Sequence, residues 1–202
     1  GDTTLIGTKG ISVEENSAFF ALSAHLAVQG INVPVVHAIS PDKLSYLQSD
    51  LGDTTLYDRL EPARKVGTFN EQQCDLCKVM AQLPDIQYLG AKDFDFSVCY
   101  PVPAFDRRSI FWDFNYFKYS FLKAIGIEFN EAPLEDEFEK LSQILLSDNE
   151  NTFMFRDFQS RNIMWHNDQP HYIDFQGGRR GPIYYDVASF VWQARARYTP
   201  EA

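Results

Sequence analysis

Apolar positions Phe19, Leu22 and Leu26 recur at helical spacing, so a helix with one buried face is predicted across them. Ser12 stands ahead of it as N-cap with Glu15 three residues on, the form of a capping box, and Gly30 is a natural stop. Residues 3–8 read as a strand before this helix, closed by a turn at Lys9-Gly10. After it come two β-rich runs, 33–39 and 44–49, joined by Ser40-Pro41-Asp42-Lys43, whose turn chemistry predicts a hairpin. Leu51-Gly52-Asp53 breaks this pattern, and a boundary between two lobes is expected near Gly52.

From there the period lengthens. Helical patterning covers 55–60, 70–83 and an aromatic stretch from 107 to 125 that Gly126 ends; Pro133 suits the first position of a helix over 134–146. Beyond Asn151 the chain returns to strands, a short one at 152–155 and then 163–166 and 171–173 around an Asn167-Asp168 turn. A final helix is predicted from near Asp186. Phe111-Trp112-Asp113-Phe114-Asn115-Tyr116-Phe117 invites a sugar-stacking reading, but its spacing is that of a helix face packed on a core, which is the expectation.

Hydrophobic residues make up 45% of the 202 positions and aromatics 15%, enough for one large core or for two lobes sharing a cleft. The formal net charge of -10 argues against a general nucleic-acid partner, because a phosphate backbone repels an acidic surface. A cationic substrate or a metal-chelated anion suits it better. No apolar run approaches the roughly 20 residues that cross a bilayer, and Gly1-Asp2-Thr3-Thr4 lacks the regions of a signal peptide. No membrane partner and a cytoplasmic location are therefore expected. Cys74, Cys77 and Cys99 are too few and odd in number for a disulfide framework, and Cys74 and Cys77 lie among Leu76, Val79, Met80 and Leu83 at helical spacing. They read as thiols on a helix, and the four histidines show no ligand spacing.

Chemistry concentrates near the end of the chain. Phe155-Arg156-Asp157-Phe158-Gln159-Ser160-Arg161-Asn162 is followed, after the expected hairpin, by Tyr172-Ile173-Asp174-Phe175-Gln176. Phosphoryl transfer to a hydroxyl needs a carboxylate to orient the attacking oxygen and accept its proton. It also needs oxygen ligands that hold magnesium against the nucleotide phosphates. An Asp followed by Asn at D-x-x-x-x-N lets one loop supply a base and a neutral ligand, and a second Asp on a nearby strand end supplies the anionic one.

On these residues, 153–190 resemble the catalytic core of the phosphotransferase family that includes aminoglycoside, choline and N-acetylhexosamine kinases. The family pattern H-x-D-x-x-x-x-N, then I-D, then Y-D-x-A-S appears here as Arg156-Asp157 to Asn162, Ile173-Asp174, and Tyr185-Asp186-Val187-Ala188-Ser189. Glu15-Asn16-Ser17-Ala18-Phe19 is similar to the family's N-lobe helix, and 46–53 to its interlobe hinge. The resemblance implies an α+β, protein-kinase-like two-lobed fold lacking the first N-lobe strands and the last C-lobe helices. Residues 1–51 would be a partial N-lobe of strand, helix, hairpin and hinge, and 52–202 a C-lobe with the catalytic loop and metal-binding segment. It implies ATP as co-substrate, Mg2+ as cofactor, Asp157 as catalytic base, and Asn162 and Asp174 as metal ligands. Gln48, Ser49 and Asp50 would offer backbone groups to adenine. Glu15 would pair with a strand lysine to hold phosphates, a role it shares evenly with the capping box, and Asp186 would cap the last helix and support the loop.

Three departures stand out. Phe155 occupies the place of the loop histidine, no lysine is evident on the opening strand apart from Lys9 at its end, and no glycine-rich loop precedes that strand. An excerpt of a longer protein is the expectation, with a naturally reduced protein as the alternative. The expected function is phosphorylation of a hydroxyl on a small molecule, nearest the bacterial sugar kinases for N-acetylated hexosamines. Two alternatives remain: an aminoglycoside-modifying kinase, with Glu131, Glu135, Asp136, Glu137 and Glu139 as an acidic lining or else a solvated helix face, and a non-catalytic nucleotide-binding regulatory domain.

Overall fold

The computed structural model describes residues 4–147 and 151–199; Thr3, where the first strand was expected to open, lies outside them. The chain begins with three antiparallel strands, β1 (Leu5–Lys9), β2 (Val36–Ile39) and β3 (Ser45–Ser49), in the spatial order β1-β3-β2. β1 does not turn at Lys9 as expected. Lys9 pairs with Ser45, and the Gly10 N–H reaches the Leu44 carbonyl at 2.8 Å, so the ladder carries the strand onward. The 40–43 turn joins β2 and β3 as the sequence indicated, with Lys43 at φ 57°.

Helix α1 (Val13–Val28) connects β1 to β2 and buries Ala18, Phe19, Leu22 and Leu26. Ser12 Oγ accepts the Glu15 N–H at 3.1 Å, which makes the N-cap, but its own hydroxyl goes to Glu14 at 3.1 Å and the second half of the box is not formed. The Glu15 carboxylate is thereby left for other work. Gly30 leaves the helix at φ 81°, a conformation that costs glycine little.

The rest is mainly helical. Thr55 and Asp58 exchange the reciprocal bonds of a capping box on α2 (Leu56–Arg59), and α3 (Glu61–Val66) follows, unforeseen, with Pro62 near its start and Gly67 closing it. Helix α4 (Gln73–Ala91) runs through Pro84 instead of ending at 83, because Ile86, Gln87, Gly90 and Ala91 beyond it are buried against α1 and the strand at 153–154. Burial there outweighs the lost backbone bond. Helix α5 (Arg107–Phe117) continues into a π-helical turn, Lys118–Leu122. Helix α6 (Glu131–Leu146) starts before Pro133, because Asn130 caps it by accepting the Ala132 N–H at 3.3 Å. The aromatic face of α5 is only partly a core face. Ile110 is buried and Phe114 stacks on Phe138 at 4.6 Å, but Trp112, Tyr116 and Phe117 are exposed.

The last part carries β4 (Phe153–Met154), β5 (Ile163–His166), β6 (Gln169–Tyr172), β7 (Arg179–Arg180) and α7 (Ile183–Val191). β4 pairs with β7, and β5 with β6 across Asn167 and Asp168, both in the left-handed region at φ 50° and 57°. α7 opens at Ile183, ahead of Asp186, because Pro182 sets its entry angle. The core gathers Phe19, Leu22, Leu26, Leu83 and Ile86 around Phe153, Phe155, Phe158, Tyr172 and Phe175. Each such side chain contributes about 1.5–3 kcal/mol on burial. Cys74 and Cys77 lie exposed on α4 and Cys99 is buried, all as free thiols. No described helix is long and apolar enough to cross a membrane.

Candidate active site

β4 delivers the chain into Phe155-Arg156-Asp157, a 3-10 turn follows at Ser160–Asn162, and the β5–β6 hairpin returns it to Ile173-Asp174. The Ile173 N–H donates to the Asn162 carbonyl at 3.0 Å, which closes the hairpin at its open end. Asn162 then joins the loop to the strand end: its Nδ2 donates to the Asp157 carbonyl at 2.9 Å and to Asp174 Oδ2 at 3.1 Å. Gln176 Nε2 donates to Asp174 Oδ1 at 2.9 Å, so both oxygens of that carboxylate are oriented. The structure thus brings Asp157, Asn162 and Asp174 together.

Packing and buried hydrogen bonds hold this loop where a histidine was expected. The Phe155 ring sits buried with Phe153, Phe158, Tyr172 and Phe175 edge-on around it, centroids 5.5 to 6.5 Å away. Phe175 in turn stacks on Phe19 of α1 at 5.2 Å. Beneath the loop, fully buried Asp186 accepts the Phe155 N–H at 3.0 Å, the Arg156 N–H at 2.8 Å and Gln87 Nε2 at 3.0 Å. It supports the loop as expected but does not cap α7, whose N-cap is Pro182. Arg156 and Asp174 both sit in the left-handed region, at φ 79° and 66°, a strain that surrounding bonds must hold.

Electrostatics follow from crowding. Asp157 keeps contact with solvent, yet its carboxyl is pushed up first by lost hydration and next by Asp174, with Arg156 opposing. Asp113, on α5, is likewise raised by burial; Arg156 Nη2 approaches its Oδ1 at 3.4 Å and pulls the other way. Burial drives Asp186 up to about 6 against the three bonds it accepts. Buried Arg179 is pushed down by lost hydration and then by Arg156, and spends its Nε and Nη2 on the Gly177 carbonyl at 3.0 and 2.9 Å.

A cleft of about 490 Å3 lies between the sheet and this segment, with Thr8, Glu15, Tyr46, Gln48, Asn162 and Asp174 among its lining residues. Alternation places Thr8, Tyr46 and Gln48 on one sheet face, as β1 pairs Thr8 with Tyr46. That period-two signal is present in the sequence for Thr8 and Tyr46, whereas no motif gives a role to Gln176 or ties Asp113 to Arg156. Ser49 and Asp50 lie past the cleft lining: Ser49 Oγ meets His37 at 3.1 Å, and Asp50 Oδ1 accepts the Gly52 N–H at 2.9 Å. Among the described residues Glu15 forms no ion pair, and Lys9 lines a separate surface groove with Gly7, Ala38 and Leu47. The acidic stripe of α6 does not line the cleft. Glu131 and Glu135 hold buried Lys118 at 2.5 and 2.6 Å, and Glu139 holds Arg107 at 2.5 Å.

Among the described residues no three His, Cys, Asp or Glu side chains are grouped to hold a metal by themselves. Asp174 and Asn162 do fit a magnesium ion that arrives with phosphates, since Mg2+ takes one or two protein oxygens and completes its shell from substrate and water. With Asn162 Nδ2 engaged twice, its amide oxygen takes no donor among the described residues and remains a hard neutral ligand beside a carboxylate.

Three bacterial relatives carry the name N-acetylmuramate/N-acetylglucosamine kinase. The one from Neisseria meningitidis serogroup B is 27% identical over 180 residues, 85% of this chain and 49% of its own length. Those from Pseudomonas putida and Pseudomonas aeruginosa are 24% identical over 173 and 192 residues, covering 84% and 93% of this chain. The chain spans about half the length of these relatives, 47% and 52% for the latter two. Among solved structures, the gentamicin complex of APH(2")-IIa superposes with a TM-score of 0.61 at 15% identity, covering 98% of this chain and 67% of that one. The streptomycin–ATP complex of APH(2")-IIa gives 0.52 at 16% over 86% and 58%. The fold is therefore protein-kinase-like. Residues 8–202 match the phosphotransferase enzyme family, and on that match the chain belongs to it.

Proposed function

We propose that the protein transfers the γ-phosphoryl group of ATP to a hydroxyl of a small molecule, with a sugar or amino sugar of the N-acetylhexosamine kind as acceptor. The observation that carries this is the pair of hydrogen bonds that Asn162 Nδ2 donates, one to the Asp157 backbone carbonyl and one to the Asp174 carboxylate, which ties the loop bearing the proposed base to the two proposed metal ligands. Residues 1–51 and 52–202 act as two lobes in this reading, and the cleft at their junction receives the nucleotide. Glu15 and Gln48 form its nucleotide wall, and the backbone of Ser49 and Asp50 continues from Gln48 past the cleft lining as the hinge. The names of the relatives favour the sugar. The aminoglycoside alternative loses most of its acidic lining, because Glu131 and Glu135 are taken by Lys118, Glu139 by Arg107 and Glu137 by Lys140.

In this reaction Asp157 orients the acceptor hydroxyl and takes its proton as the new O–P bond forms, the bond from the γ-phosphorus to the bridging oxygen breaks, and ADP departs. Lost hydration and Asp174 raise the basicity of Asp157, which helps it hold that proton. Asp174 and Asn162 would hold Mg2+, which when bound would offset the charge on the phosphates. Gln176 keeps the Asp174 carboxylate turned toward that task.

The test is a screen of the full-length protein with Mg-ATP against N-acetylated hexosamines, aminoglycosides and amino alcohols. Turnover is expected on an N-acetylated sugar. Asp157→Asn should lower kcat about 100-fold to 10,000-fold with nucleotide binding kept, and Asp174→Asn should also raise the magnesium requirement. No transfer to any acceptor, with nucleotide still bound, would replace this reading by the regulatory one.

A further inference from the structure

Away from the cleft, Tyr57, Glu61, Arg64, Lys65, Arg195 and Arg197 line a second hollow of about 500 Å3. The end of α3 supplies Arg64 and Lys65, and a 3-10 turn, Ala194–Ala196, with the residue after it supplies Arg195 and Arg197. Four of the chain's 18 Lys and Arg residues thus meet here against one carboxylate, in a chain of net charge -10. Such a concentration of positive charge raises the local potential and draws anions.

The one carboxylate present does not suffice. Glu61 is taken by Arg64 at 2.7 Å and by Lys65 at 3.3 Å, and among the described residues Arg195 and Arg197 form no ion pair. Arg64 is the telling residue. Its side chain is 6% exposed, its guanidinium lies 3.6 Å over the Tyr57 ring, and Nη2 donates to Glu61 at 2.7 Å. Nη1 is buried without a hydrogen-bond partner. A guanidinium edge stripped of water and given no acceptor bears a desolvation cost that a bound anion would offset.

We propose that this hollow binds a soluble small molecule carrying a phosphoryl group, at a site distinct from the catalytic cleft. Arg64, Arg195 and Arg197 line the hollow together and bring guanidinium donors from two separate stretches, and a phosphoryl dianion presents three oxygens to them where a carboxylate presents two. The position is behind the catalytic loop: Gln193, two residues ahead of Arg195, accepts the Ser160 N–H at 3.0 Å and its hydroxyl at 2.6 Å, and Ser160 lies between Asp157 and Asn162.

The experiment is calorimetric titration of the full-length protein with inorganic pyrophosphate at low salt, in EDTA and without nucleotide, so that a failed kinase assay leaves its outcome untouched. One saturable site is expected, weakened at least ~10-fold by the double substitution Arg195→Gln, Arg197→Gln, and less by Lys65→Gln on the exposed rim. The absence of saturable binding would overturn the proposal, as would full affinity in the double variant at an unchanged Tm. If the double variant melts early, Lys65→Gln decides, and unchanged affinity in it counts against the site. Malonate binding as tightly as pyrophosphate would overturn the phosphoryl assignment.

Discussion

The Asp186 carboxylate accepts the backbone N–H of Arg156 at 2.8 Å, and Arg156 is one of two loop residues held at a φ that non-glycine residues avoid. A buried acid thus fixes a strained peptide directly ahead of Asp157. Replacing it removes the acceptor for two backbone donors and for Gln87 at once.

Asp186→Ala is therefore expected to cost about 2–4 kcal/mol in urea unfolding, because two backbone donors lose their acceptor and Gln87 keeps only the Ile183 carbonyl. It should also lower kcat more than it raises the KM for ATP, since the loop and not the cleft wall is released. The deficit has a pH signature. Burial raises the folded pKa of Asp186 to about 6, above that of the unfolded chain, so the folded state holds the extra proton through that window. The group's contribution is full below about pH 4 and is lost as pH rises through about 6. The stability gap between wild type and variant should narrow accordingly.

Asp157→Asn should raise Tm while removing turnover. Its folded pKa is raised by lost hydration and by Asp174, so the ionised form is disfavoured in the folded state at neutral pH. A neutral amide of the same size relieves that, as is common where a site is built for chemistry at the expense of stability. The gain should be present near pH 7 and vanish below the ordinary carboxylate range, where the wild-type carboxyl is protonated in both states. Scanning calorimetry across pH reads both; an unchanged Tm at neutral pH would contradict the account.

Most elements were legible because their signals are local: Ser12 and Thr55 at helix starts, Gly30 and Gly126 at ends, and the Asn167-Asp168 turn each act within a few residues. The D-x-x-x-x-N spacing and the Ile173-Asp174 strand end likewise sufficed to name three residues that meet. What the sequence hid was non-local. Pro84 reads as a helix breaker until the burial of Ile86 and Gly90 is known, and Asp113 carries no motif that ties it to Arg156, 43 positions away. Phe155 read as a lost histidine, whereas four rings enclose it, two from its own stretch, Phe153 and Phe158, and two from beyond the hairpin, Tyr172 and Phe175.

Restoring histidine at that place should accordingly hurt. Phe155→His puts a polar ring into a site walled by aromatic rings, whose one polar group, the Tyr172 hydroxyl, already donates to Gln82 at 2.9 Å. A loss of about 1–3 kcal/mol in urea unfolding is expected, with no gain in kcat. A more active or more stable variant would mean that the loop is held by something other than this packing.

The pH profile of the reaction offers a test that reaches beyond single-residue loss. The acid limb of kcat/KM reports the pKa of the base in the free enzyme, which is Asp157 in the proposed reaction. Asp113 adds to the negative field on Asp157, ranking behind Asp174 and Arg156, and it also draws on the Arg156 guanidinium at 3.4 Å. Asp113→Asn removes the repulsion and leaves Arg156 free to stabilise the Asp157 anion. Both effects lower the pKa of the base, so the acid limb should move to lower pH, by less than about one unit given the rank of Asp113 among the charges. Because these groups are partly solvated, added salt should shrink the displacement. A substitution that merely disturbed packing would depress the profile at every pH without moving its limb, and a limb that stays in place would detach Asp113 from the chemistry of Asp157.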